Sequence, residues 1–273
     1  MNLNEKKISL EEIHKIELDI MDYIHKICEE NQIRYYLVGG TLIGAIRHKG
    51  FIPWDDDMDI DMPRKDYERF KQVLKENPSE QFFFLNEDTE KNYFSFGKMI
   101  DTRTRLIEKD KDIQPPNMGV YIDIFPVDGA PGDEMDAHKH YKAVKRINKL
   151  RIQYAYKKAP YTTNIVRWFY RCLVWRISRI FGIRWINKKE KSLLNKYIFD
   201  ESKKVCNYFG AYGEREIIPI TFFGERCLTE FEGRQYYITK NYDEFLRKMY
   251  GDYMKLPPVE ERVSRHDTEV YWK

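Results

Sequence analysis

Apolar residues recur at Ile13, Ile16, Ile20, Ile24 and Ile27, with Met21 and Cys28 beside them. This spacing draws one stripe along a helix. Ser9-Leu10-Glu11-Glu12 ahead of it fits a capping box, so a helix is predicted from there to about Glu30. The period then changes. Residues 35–38 form a short apolar run that reads as a strand and breaks at Gly39-Gly40. A small-residue helix is predicted over 41–48, and a strand over 57–62, where aspartates alternate with Met58 and Ile60. Pro63 suits the first turn of a helix that buries Tyr67, Phe70, Val73 and Leu74 and ends at Asn77-Pro78. Residues 81–85 and 93–100 read as strands. Asn117-Met118-Gly119 is a turn before VYIDIF (120–125), a strand in which Asp123 faces away from its isoleucine neighbours. Pro126 and Asp128-Gly129 are expected to end it.

Residues 138–156 are helical in pattern, and Pro160-Tyr161-Thr162-Thr163 is a break. The stretch 165–186 is apolar with arginines interspersed. At about 100° per residue, Asn164, Arg167, Arg171, Ser178 and Arg179 share one arc, while Arg176 and Arg184 fall outside it. A hairpin is expected over 227–238 with Gly233 at the turn, then a short helix from Asp243 to Tyr250. The order αβαβα followed by strands implies an α/β core with a mixed sheet. We expect 1–135 to form the catalytic core, 136–200 a basic aromatic helical segment, and 201–273 a part that completes the core.

Composition narrows the class. With 273 residues, 42% of them hydrophobic and 33% charged, the chain can build a sizeable soluble core. No run of about 18 uncharged apolar residues exists, and the N-terminus has no apolar signal core, so a cytoplasmic protein is expected. Cys28, Cys172, Cys206 and Cys227 are scattered, which suits free thiols better than a zinc site or disulfide framework. The net charge of +3 conceals a division: residues 139–191 hold 16 Lys/Arg against one acid, Glu190, and the remainder holds 31 basic and 43 acidic residues. One localised anionic partner is implied.

The chemistry concentrates in residues 35–62. A double glycine at a helix start offers N–H groups and close approach to a phosphate, which selects Gly39, Gly40 and Thr41. Asp55, Asp56, Asp57, Asp59 and Asp61 follow. Alternate residues of a strand share a face, so Asp57 and Asp59, or Asp59 and Asp61, can share a cation; spacing alone leaves both pairs open. A calcium loop starting at Asp55 fails, because its sixth and twelfth positions are Ile60 and Asp66 where Gly and Glu are needed. Asp123 is the best third acid, since a carboxylate within an apolar strand needs a compensating partner. Arg47, Lys98, Arg103 and Arg105 are candidate cations for phosphates. His14 and His25 read as surface or boundary histidines. Together these groups point to metal-assisted phosphoryl transfer.

GGTLIGAIRHKGFIPWDDDMDIDMPRKDY, FGKMID, GVYIDIFPVDG, FEGRQYY and YGDYMKLPP resemble the LicD family of phosphotransferases. The resemblance covers about residues 20–129 and 220–258. It implies a nucleotidyltransferase-like fold related to polymerase beta, and transfer of phosphocholine from CDP-choline to a teichoic acid or lipopolysaccharide sugar with release of CMP. Fukutin-related proteins, which use CDP-ribitol, share the core. The resemblance also implies that the metal pair is Asp57 and Asp59, with Asp123 as third acid, Asp55 in support and Asp61 incidental. Mg²⁺ is the implied cofactor, with Mn²⁺ as a substitute. The zinc-binding insertion of the animal relatives has no counterpart here.

Segment 139–191 is covered by no specific motif. One reading lays it on an anionic membrane surface, and the other packs its apolar residues inward with a basic face on the acidic body. Two further readings keep the sequence but change the function: a nucleotidyltransferase acting on RNA, and a metal-binding module without activity.

Overall fold

The computed structural model describes residues 6–109, 113–264 and 268–273. Helix α1 (Leu10–Glu30) begins with the expected capping box, in which Ser9 and Glu12 each take the other's backbone N–H. Its stripe of Ile16, Ile20, Met21, Ile24 and Ile27 is buried, and it packs against the centre of the main sheet.

That sheet is mixed, as the element order implied. Strands β1 (Tyr36–Leu37), β2 (Met58–Pro63), β3 (Phe82–Leu85), β4 (Gly97–Asp101) and β6 (Tyr121–Ala130) lie in the order β1-β2-β6-β4-β3. Only the central pair, β2 and β6, is parallel. Between β1 and β2 lies α2 (Gly39–Arg47), and α3 (Arg64–Glu76) follows β2. Alternation divides the central strands into two faces. Met58, Ile60, Met99, Ile122 and Ile124 are fully buried in the main core. Asp59, Asp123 and Lys98 occupy the other face, in one row across three strands, because the register pairs Asp59 with Asp123 and Asp123 with Lys98.

Four features depart from the sequence expectation. First, β6 does not stop at Pro126. Its edge partner changes from β4, last paired at Ile124, to β7 (Lys204–Cys206), first paired at Asp128. Pro126 falls between the two, where its missing N–H breaks no ladder bond on that edge. Second, the strand expected over 93–100 begins only at Gly97. Phe94 N–H donates to Asn92 Oδ1 and the Phe94 carbonyl accepts from Asn92 Nδ2, so this backbone is committed elsewhere. Third, β5 (Thr104–Glu108) was read only as a source of basic groups. It pairs with β11 (Thr268–Trp272), far downstream. Fourth, the glycines do not precede α2 but form its first turn.

The hairpin β9 (Arg226–Phe231) and β10 (Arg234–Thr239) turns at Gly233 as expected and packs on β1. The strand β8 (Ile217–Pro219) extends β7, and α6 (Tyr242–Tyr250) ends at Gly251 with φ 72°. Helices α4 (Glu134–Ala155) and α5 (Ile165–Leu194) form a hairpin, α5 kinking at Gly182. Glu190 ties this hairpin down: it accepts from Arg151 Nε at 3.1 Å and from Ser95 Oγ at 3.0 Å, all out of water. All four cysteines are free thiols.

Asp61, expected to be incidental, is buried between β2 and the β7–β8 strands. Asn207 Nδ2 donates to it at 3.1 Å, and burial followed by the charge of Glu216 holds its pKa well above the usual range. Burial likewise pushes Glu216 up to about 7 from 4.5. A folded-state pKa above the unfolded one stabilises the fold at low pH, and this contribution is lost as pH rises from about 4.5 to about 7. The shift corresponds to roughly 3 kcal/mol. Urea denaturation across that window should show stability falling with pH, and Glu216→Gln, which can still accept from Tyr212 N–H, should flatten the fall. An unchanged slope would remove Glu216 as its source.

Candidate active site

The acid loop is positioned before any ligand arrives. His14 stacks flat on Phe51, ring centroids 3.8 Å apart, and its Nε2–H donates to the Asp55 carbonyl at 2.8 Å. The histidine read as a boundary residue is therefore a brace for the loop leading into β2. Thr41 Oγ1 accepts from Asp59 N–H at 2.8 Å, pinning the start of β2 to α2. Thr41 is buried, and does not border the cleft described below.

Gly39 and Gly40 answer a steric need that the sequence did not reveal. A Cβ on Gly39, whose φ is +61°, would lie 2.8 Å from Asp59 Oδ2; one on Gly40 would lie 2.3 Å from Asp55 Oδ2. The first turn of α2 thus receives two carboxylates at its positive end, which their charge favours.

Beside this turn opens a cleft of about 600 Å³. Asp55, Asp57 and Asp59 border it with Gly39, Gly40 and Arg47, while Trp54, Tyr212, Tyr250 and Tyr253 contribute aromatic groups and Asp252 and Glu261 further acids. Arg47 Nη1 donates to the Tyr253 carbonyl at 2.8 Å, so it also joins α2 to the segment after α6. Neither Asp61 nor Asp123 borders the cleft.

Asp59 is raised well above the usual carboxylate range, first by burial, then by the charges of Asp57 and Asp123; Lys98 opposes the shift. Asp123 itself is held by Lys98, whose ammonium contacts its Oδ1 and lies 3.6 Å from the Tyr121 ring centroid, with Phe94 and Phe96 nearby. Lys98 is thus the buried counter-ion of Asp123 and does not reach the cleft as a phosphate clamp. Arg103 is taken by Asp101, with Nε 3.0 Å from Oδ1, and Arg105 stands over Tyr271 on β5; neither borders the cleft.

Asp55, Asp56 and Asp57 each bring a carboxylate oxygen within 4.8 Å of the others. Hard oxygen donors in this number suit Mg²⁺ or Mn²⁺. A sixth acid supports the fit. Glu17 is 1% exposed, its Oε2 has no hydrogen-bond partner among the described residues, and it shares a cavity of about 10 Å³ with Asp56. Burial, then the charges of Asp57, Asp56, Asp55 and Asp59, raise its pKa strongly. Sequence reasoning missed it, although position 17 follows Ile13 by four and precedes Met21 by four, on the buried stripe. An acid on that stripe was the available signal. Glu17→Gln should weaken Mg²⁺ binding about tenfold in titration calorimetry, the scale of a group supporting metal ligands. Unchanged affinity with a raised melting temperature would make Glu17 a structural acid only.

The family described as LicD/FKTN/FKRP, nucleotidyltransferase domain, matches residues 32–153, a span containing β2, β4 and β6. The lipopolysaccharide cholinephosphotransferase LicD of Haemophilus influenzae is 34% identical over 274 aligned positions, 97% of this chain and 99% of that protein. The human ribitol 5-phosphate transferase FKRP is 39% identical over 51 residues, 19% of this chain and 10% of that protein. An uncharacterized protein of Rickettsia typhi, RT0683, is 44% identical over 55 residues, 20% of this chain and 18% of its own. With a relative 34% identical across 97% of this chain and 99% of its own length, and the family match over residues 32–153, the chain belongs to the LicD family of phosphotransferases.

Proposed function

We propose that the chain transfers phosphocholine from CDP-choline to a sugar hydroxyl of a cell-surface glycan precursor such as a teichoic acid, releasing CMP. The carrying observation is the composition of one cleft: carboxylates of Asp55, Asp57 and Asp59 and the α2 N-terminus beside the rings of Trp54, Tyr212, Tyr250 and Tyr253. Phosphate chemistry needs the first set, and a quaternary ammonium is held by the second through aromatic faces and nearby carboxylates. Tyr212 and Tyr250 meet edge to face at 5.0 Å, and Trp54 already carries the Arg262 guanidinium 5.7 Å from its ring centroid. In the same reading the mixed sheet is a nucleotidyltransferase-like core spanning 1–135, completed by 201–273.

Asp57 and Asp59 would hold Mg²⁺, which when bound neutralises the donor diphosphate and the departing CMP. The chain's own groups do the rest. N–H groups of the first turn of α2 and Arg47 orient the phosphates of the donor. Asp123, aligned by Lys98, accepts the proton of the sugar hydroxyl as its oxygen bonds to the phosphorus distal to cytidine. The bond from that phosphorus to CMP breaks, and CMP leaves. The gain comes from positioning and charge. A donor carrying ribitol or glycerol in place of choline would use the same acids without the aromatic wall.

Two measurements test the halves separately. With CDP-choline, Mg²⁺ and a glycan precursor supplied, Asp59→Asn should reduce CMP release to background, and release equal to wild type would end the acid assignment. Tyr212→Leu and Tyr250→Leu should each raise KM for CDP-choline by about 2- to 30-fold, the range of one cation–π contact. KM for CDP-glycerol should not move with them. Equal losses on both donors would reject the choline wall.

A further inference from the structure

Helix α5 is apolar on the side that meets water. At about 100° per residue, its buried Val174 and Ser178 define one side. Ile165, Val166, Phe169, Leu173 and Ile180 fall within an arc of about 100° on the opposite side. They are 67%, 73%, 62%, 56% and 79% exposed. Past the kink at Gly182, exposed Trp185 stacks on exposed Phe181 and adds to the apolar surface of the helix. The arc expected to be the polar face, with Arg167, Arg171, Ser178 and Arg179, instead borders the protein side. Arg171 donates to the Tyr161 carbonyl, and Arg179 donates to the Tyr156 carbonyl and lies over the Tyr154 ring. The 165–180 apolar arc therefore does not pack inward, whereas Val174, Ile186 and Leu194 of the same helix do. An exposed patch of this size marks a partner.

Charge identifies the partner. Residues 139–191 hold 16 Lys/Arg and one acid. That acid, Glu190, is buried beneath Arg151 and Ser95, so no carboxylate interrupts the segment's exposed surface. A second copy meeting this face by two-fold symmetry would set arginine against arginine. An anionic lipid surface satisfies both components. Acyl chains receive the apolar arc, headgroup phosphates receive Arg184, the neighbouring lysines and Arg176, which falls within the arc and reaches outward along its apolar stem, and exposed Trp185 sits between. No helix among the described residues is long and apolar enough to cross a membrane, so α5 would lie along the surface.

We propose that the α4–α5 hairpin docks the protein on an anionic membrane through the exposed 165–185 face of α5. This does not depend on which donor the cleft accepts. The test uses the full chain and two vesicle types, phosphatidylcholine alone and phosphatidylcholine mixed with phosphatidylglycerol. Co-sedimentation should occur with the mixed vesicles only and fall with added salt. The triple variant Phe169→Ser, Leu173→Ser, Ile180→Ser should lose about tenfold in partitioning, with its circular dichroism and its CMP release from CDP-choline in the presence of a soluble acceptor unchanged. Should that variant misfold, Arg176→Glu with Arg184→Glu tests the charged half by the same assay and should lose binding to the mixed vesicles. The proposal is overturned by equal binding to both vesicle types, by no binding, or by a folded variant that binds like wild type. It is overturned too if wild type self-associates without binding vesicles and the triple variant is monomeric, which would make a second copy the occupant.

Discussion

The row Asp59–Asp123–Lys98 depends on one parallel contact between β2 and β6. Two carboxylates in register on adjacent strands repel each other, and burial makes the repulsion worse. Lys98, donated from the antiparallel neighbour β4, balances one of them. The opposite face pairs Met58 with Ile122 and Ile60 with Ile124, all buried, so slipping the register by one residue would send acids into the core. The apolar face therefore holds the acidic face in a state that it would not adopt alone.

The surroundings answer to the same constraint. Glycines at 39 and 40 leave space for Asp59 and Asp55, His14 and Thr41 hold the loop and strand start, and Glu17 closes the back of the cluster with an oxygen that has no hydrogen-bond partner among the described residues. Burial and mutual repulsion raise Asp59 and Glu17 well above the usual carboxylate range, and a cation bound among these acids would relieve that repulsion. The aromatic part of the cleft comes from the other end of the chain, through Tyr212, Tyr250 and Tyr253, and Arg47 ties it to α2.

Helix α5 follows a different logic. Elsewhere the apolar stripes turn inward, as in α1 and α3; in α5 the exposed arc is the apolar one. Two of its arginines, Arg171 and Arg179, are held by carbonyls and a ring of the 154–161 segment. A surface of this kind makes sense as an interface, and the segment's uniform positive charge limits what can face it.

Local pattern was sufficient where the signal was local. The capping box of α1, the hairpin turning at Gly233, α6 ending at Gly251 and the alternation of β2 and of the first half of β6 follow from neighbouring residues. Asp57, Asp59 and Asp123 stood out because acids interrupting apolar strands need a reason. Long-range partnership decided the rest. Pro126 could stay inside a strand only because β4 ends and β7 begins around it, and β5 was invisible without β11. Lys98 changed from phosphate clamp to counter-ion because β4 lies beside Asp123, and Glu17 joined the acids because α1 packs behind them. Sequence alone determined which residues could carry phosphate chemistry, since alternation and side-chain type are properties of the chain. Tertiary structure alone decided which of them meet, which are neutralised and which face of α5 is left to water, since charge and burial depend on neighbours that are distant along the chain.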